Sequence, residues 1–305
     1  MCDSSLSKFG YKFSKRAAIL AALFFMTWAH SQLASAGTKV RSSPARETYR
    51  DLIEKAYNLS LQKDRTQALG ILVGAIKKEN KKSPAQRELM TALEQVSKVF
   101  YSDKAQQLYE LALSMKSSDP TTATAKLQEA LRLEPDNLSI EIALARQALA
   151  SNDCDGALAR SLKQKDLLVA IEELRLVAAQ SQVCLGKYDD YLVSRSAQDV
   201  KKSDLGKFWF VLETEYFFKT ASLPKALEAA VNLQKQDGNF PEPHYWDWRA
   251  GTELKQKKDK AAQRYLNLCK TMNSRQQRDY SPEPQLCRRT TEIENYLKKN
   301  NNSEI

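Results

Sequence analysis

Histidine is nearly absent from this chain. Only two occur in 305 residues, and His30 falls in a stretch expected to be removed. The single imidazole left, His244, excludes a multi-histidine metal site and leaves no histidine-based triad to build on. Glycine and proline are scarce as well, at nine each. Both weaken helix interiors, so their scarcity suits an all-helical chain. No glycine-rich phosphate loop, G-x-S-x-G elbow or CxxC pair occurs, and no window of alternating Val, Ile and Thr indicates a strand. The acidic pairs Glu172/Glu173 and Asp189/Asp190 sit on expected helices beside basic residues. General acid–base work needs carboxylates in a cleft with separated pKa values, and a solvated helix face fits these better. The expectation is a protein without catalytic centre, metal or cofactor.

Long apolar runs are also missing, with one short exception. Ala17–Ala29 is 13 residues long and apolar apart from Thr27, follows Lys8, Lys12, Lys15 and Arg16, and precedes Ala34-Ser35-Ala36. A positive segment, a short apolar core and small residues at −3 and −1 make a secretory leader, residues 1–36. As a helix the run rises about 20 Å, short of a ~30 Å hydrocarbon core, so the chain released from it is expected not to span a membrane. Residues 37–44 are expected to be flexible. Removing the leader takes four of the 47 basic residues and one of the 37 acidic ones, leaving +7. That excess is scattered in small clusters, Lys77–Lys82, Lys255–Lys260 and Lys298–Lys299, away from the aromatics. Nucleic-acid binding calls for a basic stripe interleaved with aromatics, so no nucleic-acid partner is expected.

What the chain has is a recurrence. Ala56/Ala68, Ala145/Ala157 and Ala250/Ala262 are small residues twelve apart, and Ala179/Tyr191, Thr214/Ala226 and Leu93/Ala105 keep the spacing with one larger or polar member. Twelve residues cover one helix face plus a tight turn, so each pair places a small side chain on each of two antiparallel helices where their axes come closest. Recurrence every 34 to 37 residues marks a stack of helical hairpins. Approximate units are 49–82, 86–118, 104–137, 138–171, 172–205, 207–240 and 243–276. The second and third overlap, because helix 103–117 suits either role, and a phase slip is expected there. The array as a whole spans 45–281. Segment 282–299 has a polar face rich in Lys, Arg and Glu with Ile293, Tyr296 and Leu297 for packing, and is expected to be a capping helix. Residues 300–305 are expected to form a disordered tail.

The repeat also pairs the four cysteines that follow the leader. Cys154 opens the second helix of one hairpin and Cys184 closes the first helix of the next, on the same edge one layer apart. Cys269 ends the last hairpin and Cys287 follows it. Bridges Cys154–Cys184 and Cys269–Cys287 are expected, each stabilising by roughly 3 kcal/mol, and they suit an exported, periplasmic or extracellular, protein.

Leu108–Asn137, with Ala123, Leu127, Ala130 and Leu133 before Glu134-Pro135-Asp136-Asn137, resembles a unit of the tetratricopeptide repeat family. Gly186–Tyr191 looks like the turn of another, and Trp246, Ala250, Ala262, Leu266 and Cys269 match the last, although no unit carries the full motif. The resemblance implies a right-handed superhelical solenoid whose first helices line a concave groove for a protein or peptide. Mapped onto this chain, the groove positions include Phe208, Val211, Glu215, Phe218, His244 and Asp247, with Phe210, Phe217 and Trp246 in the core. The reading is an exported adaptor in a cell-envelope assembly. A glycan-binding module using the aromatics of 208–248 is the alternative, decided by whether Trp209, Tyr245 and Trp248 are exposed in one plane. Cleavage after Ala36 is expected to give a chain beginning at Gly37, and N-terminal sequencing of the exported protein checks it.

Overall fold

The computed structural model describes Thr48 to Lys116 and Ser118 to Asn301. Residues 1–47, which hold the expected leader and the expected flexible stretch 37–44, Ser117 and the last four residues lie outside the described part. Within it the chain is all α, with fifteen helices: α1 Tyr49–Leu61, α2 Arg65–Lys78, α3 Pro84–Lys98, α4 Asp103–Met115, α5 Pro120–Leu133, α6 Leu138–Ala150, α7 Cys154–Lys163, α8 Glu172–Cys184, α9 Tyr188–Ser196, α10 Gly206–Lys219, α11 Leu223–Gln236, α12 Glu242–Glu253, α13 Asp259–Thr271, α14 Ser274–Asp279 and α15 Thr290–Asn301. Their starts follow local chemistry. Thr48 and Asp51 form a capping box on α1, Asp64 caps α2 through the Gln67 amide, and Asp153 caps α7 through Gly156. Ser83–Pro84 and Asp119–Pro120 put a capping side chain before a proline that has no N–H to satisfy.

Five hairpins end their first helix in the same way. Lys63, Asn152, Gly186, Ala221 and Lys255 adopt φ of 64°, 61°, 71°, 57° and 57°. The next amide then returns to the carbonyl five residues back, as in Asp64 to Leu59 at 2.9 Å, Lys187 to Gln182 at 2.8 Å and Ser222 to Phe217 at 2.8 Å. This turn satisfies carbonyls left free at a helix end. Four of the five positions hold a side chain in the left-handed region, a conformation costing about 1–2 kcal/mol per residue. The geometry is kept where the residue type is not, and the last four positions recur at intervals of 34, 35 and 34 residues.

The hairpins α1–α2, α6–α7, α8–α9, α10–α11 and α12–α13 pack in chain order, and their first helices touch in a row, α1, α3, α6, α8, α10 and α12. Every member of the six spaced pairs is buried to within 1% of full cover. Leu93/Ala105 is the exception in meaning: α3 and α4 do not lie along one another, and α4 pairs with α5 instead. The expected unit 86–118 is therefore not a hairpin. The α4–α5 hairpin forms its own apolar cluster (Ala112, Ala123, Leu127, Ala130) against Ile140 and Leu144 of α6. The main core passes it by, running from α1–α3 through Leu138, Ile142 and Ala145 of α6 into α7 and α8. A second core joins α8 to α13 and Ile293 of α15. The phase slip is thus an extra hairpin set on the other face of α6.

A buried polar knot holds that extra hairpin in place. Arg65 of α2 pairs with Glu134 at 2.8 Å, both side chains being only 4% exposed. Glu134 also accepts the amides of Tyr101 at 2.7 Å and Ser102 at 2.8 Å and the amide side chain of Asn137 at 3.1 Å. Arg65 additionally donates to the Val99 carbonyl and lies over the Tyr101 ring. Loops 99–102 and 134–137 are thereby pinned to one guanidinium. Farther along, Lys98 of α3 and Arg146 of α6 each reach Glu173 of α8 at 2.7 Å. Burial pushes the Glu173 carboxyl up, but the two cations outweigh it and hold it below the ordinary value.

The capping helix begins at Thr290, not at 282, and runs to Asn301. Residues 281–289 form irregular turns. Pro284 cannot sit inside a helix, and Cys287 has φ 58°. Glu134→Ala should leave Arg65 buried without its partner and destabilise the fold by about 3–5 kcal/mol in urea titration, whereas Leu61→Ala, at a side chain 83% exposed, should stay within about 0.5 kcal/mol.

Candidate functional site

The irregular segment Ser281–Arg289 does not run away from the array; it lies back along the row of first helices. Gln180 of α8 donates to the Pro282 carbonyl at 3.1 Å. Gln285 reaches the Leu149 carbonyl at 2.9 Å and Arg288 the Ala150 carbonyl, both at the C-terminal end of α6. The Cys287 amide donates to Glu242 of α12 at 2.9 Å, and Arg289 pairs with the other oxygen of that carboxylate at 3.0 Å. The segment thus makes side-chain and backbone contacts to three first helices, up to 138 residues away in sequence. It is anchored at its start by Tyr280, which stacks on Phe240 with ring centres 4.6 Å apart. Near its end Cys287 lies within disulfide distance of Cys269 of α13, with Cα atoms 5.5 Å apart. The pair Cys154 and Cys184 is placed likewise, 6.1 Å between Cα atoms, at the start of α7 and the end of α8.

Between segment and helices is a cavity of about 530 Å³, lined by Gln180, Glu215, Phe218, Trp246, Arg249 and Glu283 among others. The Oε1 atom of Gln180 is buried there without a hydrogen-bond partner. The charges are close-set. Glu242 is fully buried, and burial raises its carboxyl while Arg289 pulls it down. Glu283, also buried, is pushed up to about 8 by burial and by the neighbouring Glu242 charge. Glu215 adds further negative potential and pairs with Lys219 at 2.9 Å. Arg289 sits over Tyr245 at 4.4 Å and Trp246 at 5.1 Å from the ring centres, and Arg249 lies 5.6 Å over Phe218.

Of the residues expected to face the groove, Glu215 and Phe218 line this cavity. Phe208 and Val211 do not: they are 2% and 3% exposed and belong to the second core, where Phe208 meets Phe240 edge-on at 5.6 Å. Phe210 and Phe217, expected in the core, are only half-buried. Helix α10 is apolar on nearly every side, so its periodicity does not single out one face. His244 and Asp247 are corrected too. Both are 8% exposed and turn toward the second helices. His244 Nε2 contacts the Gly238 carbonyl at 3.3 Å, while Asp247 pairs with Lys258 at 3.0 Å and accepts from Gln234 at 3.1 Å. The face of α12 that meets the segment is Glu242, Tyr245, Trp246 and Arg249. Trp209, Tyr245 and Trp248 are buried at 0%, 5% and 3% exposure, and so offer no flat stacking surface for a sugar ring. Among the described residues no group of three or more His, Cys, Asp or Glu could hold a metal ion, and no helix is long and apolar enough to cross a membrane.

No family model and no curated protein matches this sequence. A crystal structure of a tetratricopeptide repeat protein from Parabacteroides merdae ATCC 43184 is similar at a TM-score of 0.38 and 15% identity, over 80% of this chain and 88% of that one. A likeness of that size carries nothing about site or partner. The helical-repeat assignment stands on the recurring left-handed turn and the row of first helices.

The segment carried a sequence signal that periodicity missed. Pro282 and Pro284, two apart, with the residues before them biased away from helix, mark an extended stretch. The Glu283 environment makes docking pH-dependent. Its carboxyl ionises near 4.5 when exposed and near 8 when docked, so the stability it contributes is fully present below about 4.5 and is lost as pH rises through 8. Glu283→Gln, which imitates the neutral form, should flatten the decline of melting temperature between pH 5 and pH 9 and melt higher than wild type at pH 9. The lowered His244 acts oppositely below its ordinary value and is common to both proteins, so it cancels in the comparison.

Proposed function

We propose that this chain is an exported adaptor, without chemistry of its own, that holds an extended segment of a protein partner along its first helices within a cell-envelope assembly. The observation that carries the reading is Ser281–Arg289 itself: an irregular, proline-containing stretch held by α6, α8 and α12 through backbone carbonyls and buried charge. Extended peptides are gripped by main-chain hydrogen bonds, with side-chain pockets giving selectivity, and this surface supplies both. The leader-like residues 1–36 and two cysteine pairs at disulfide distance support export. The stack of hairpins supports an interaction role, since such arrays present long continuous surfaces.

The test is positional. A photoreactive amino acid at Phe218, beside the cavity, is compared with one at Val193 on α9, which is 71% exposed on the second-helix side. The expected outcome in envelope fractions is a discrete adduct with one protein from position 218 and none from position 193. Adducts from 193 alone would move the partner to the opposite face and overturn the groove reading.

A further inference from the structure

Arg289 is held as a ligand would be. Its guanidinium sits in the corner of two nearly perpendicular aromatic rings, 4.4 Å from the centre of Tyr245 and 5.1 Å from that of Trp246. One edge pairs at 3.0 Å with Glu242, a carboxylate with no exposed surface. Glu215 and Glu283 add negative potential from α10 and from the segment. The walls are braced from behind. Trp246 packs on Phe218 at 5.4 Å, Tyr245 packs on Trp248 at 5.6 Å and donates to Glu292 at 3.2 Å, and the Arg289 amide donates to the Tyr265 hydroxyl at 3.2 Å. Glu242, Tyr245 and Trp246 come from α12 of the array, whereas Arg289 and the more distant Glu283 come from the irregular segment. The occupant's end of that segment holds the left-handed Cys287, φ 58°, a conformation non-glycine residues adopt at a cost.

We propose that Glu242, Tyr245 and Trp246 form a guanidinium-binding cage, that Arg289 is its occupant in cis, and that the external partner presents an arginine in an extended segment that takes Arg289's place. This rests on the adaptor reading and names the chemistry of its ligand. A buried carboxylate deprived of its cation is strongly penalised, so whatever displaces Arg289 must bring a cation of its own. Arginine suits the site better than lysine, because a planar guanidinium can lie against an aromatic face and present its edge to a carboxylate at once. The remaining cavity of about 530 Å³ beside Phe218, Arg249 and Gln180 gives room for the residues flanking that arginine.

The experiment uses the full exported chain carrying Arg289→Gln, which empties the cage. Two synthetic peptides are titrated calorimetrically against it and against wild type. One has the sequence of Ser281–Arg289 with serine for cysteine; the other also has glutamine for its last arginine. The expected result is that Arg289→Gln binds the arginine peptide at least about tenfold more tightly than the glutamine peptide. Wild type, with its cage filled, should bind the arginine peptide at least about tenfold more weakly than the variant does. A folded Arg289→Gln that does not discriminate between the peptides overturns the cage. Should the variant fail to fold, hydrogen exchange on wild type decides: the amides of Cys287 and Arg289 are expected to exchange through local opening, well before the core amides of α8 and α10. Exchange only on global unfolding would make the segment a permanent part of the core and overturn the proposal. Adducts from position 218 together with lost arginine preference would remove the cage while leaving the adaptor reading in place.

Discussion

The architecture depends on how closely two antiparallel helices can approach. In hairpins α1–α2, α6–α7 and α12–α13 the twelve-residue spacing carries small side chains on both helices, Ala56 and Ala68, Ala145 and Ala157, Ala250 and Ala262, all buried. In α8–α9 a larger residue, Tyr191, is buried at that spacing from Ala179, in the same apolar cluster. Close axes let dispersion act over the whole interface, and they set the distance the connecting turn must span. That distance explains why one backbone conformation returns at Lys63, Asn152, Gly186, Ala221 and Lys255 although only one is glycine. Helix contact absorbs the local strain.

The same constraint accounts for the break in the array. Leu93 and Ala105 keep the twelve-residue spacing, but α3 and α4 are separated by Val99–Ser102, which the Arg65–Glu134 pair draws away toward α2. Once that loop is fixed, α3 completes the row of first helices by meeting α6 directly, and α4–α5 is left to pack on the face of α6 that the main core does not use. Burial of a charge pair is weak evidence for stability, and its use as a register device is the better attested one. Here the specificity lies in which helix follows α3 in the row.

Much of this was legible in the sequence because the signal was steric and local. Small residues at a fixed interval have one inexpensive structural reading, the double role open to helix 103–117 marked the place of the slip, and the cysteine pairs followed from their places in the repeat. The groove was legible only in part. Glu215 and Phe218 line the cavity beside the segment, but α12 is covered on nearly all sides, with His244, Tyr245, Trp246, Asp247 and Trp248 all buried. Periodicity cannot orient a helix whose every face is packed. Nor could a hairpin period announce that residues near the end of the chain return to α6 and α8, since that contact is set by Pro282, Pro284 and a few charges rather than by repetition.

That return changes how the molecule should behave as a physical system. A stack of hairpins is close to one-dimensional, each unit feeling only its neighbours, so that its ends can melt while its middle stays ordered. Here Gln285 and Arg288 tie the end of α6 to a stretch that is also fastened to α12 and α13. While the segment is docked, the ladder from α6 to α13 is closed into a circuit whose two ends are tied to each other. Helices α1 to α5 stand outside the circuit and join it through α6 and through the Lys98–Glu173 pair. One sequence of similar units thus divides into a cooperative block and a more independent arm, and the division falls at α6 and not at any repeat boundary.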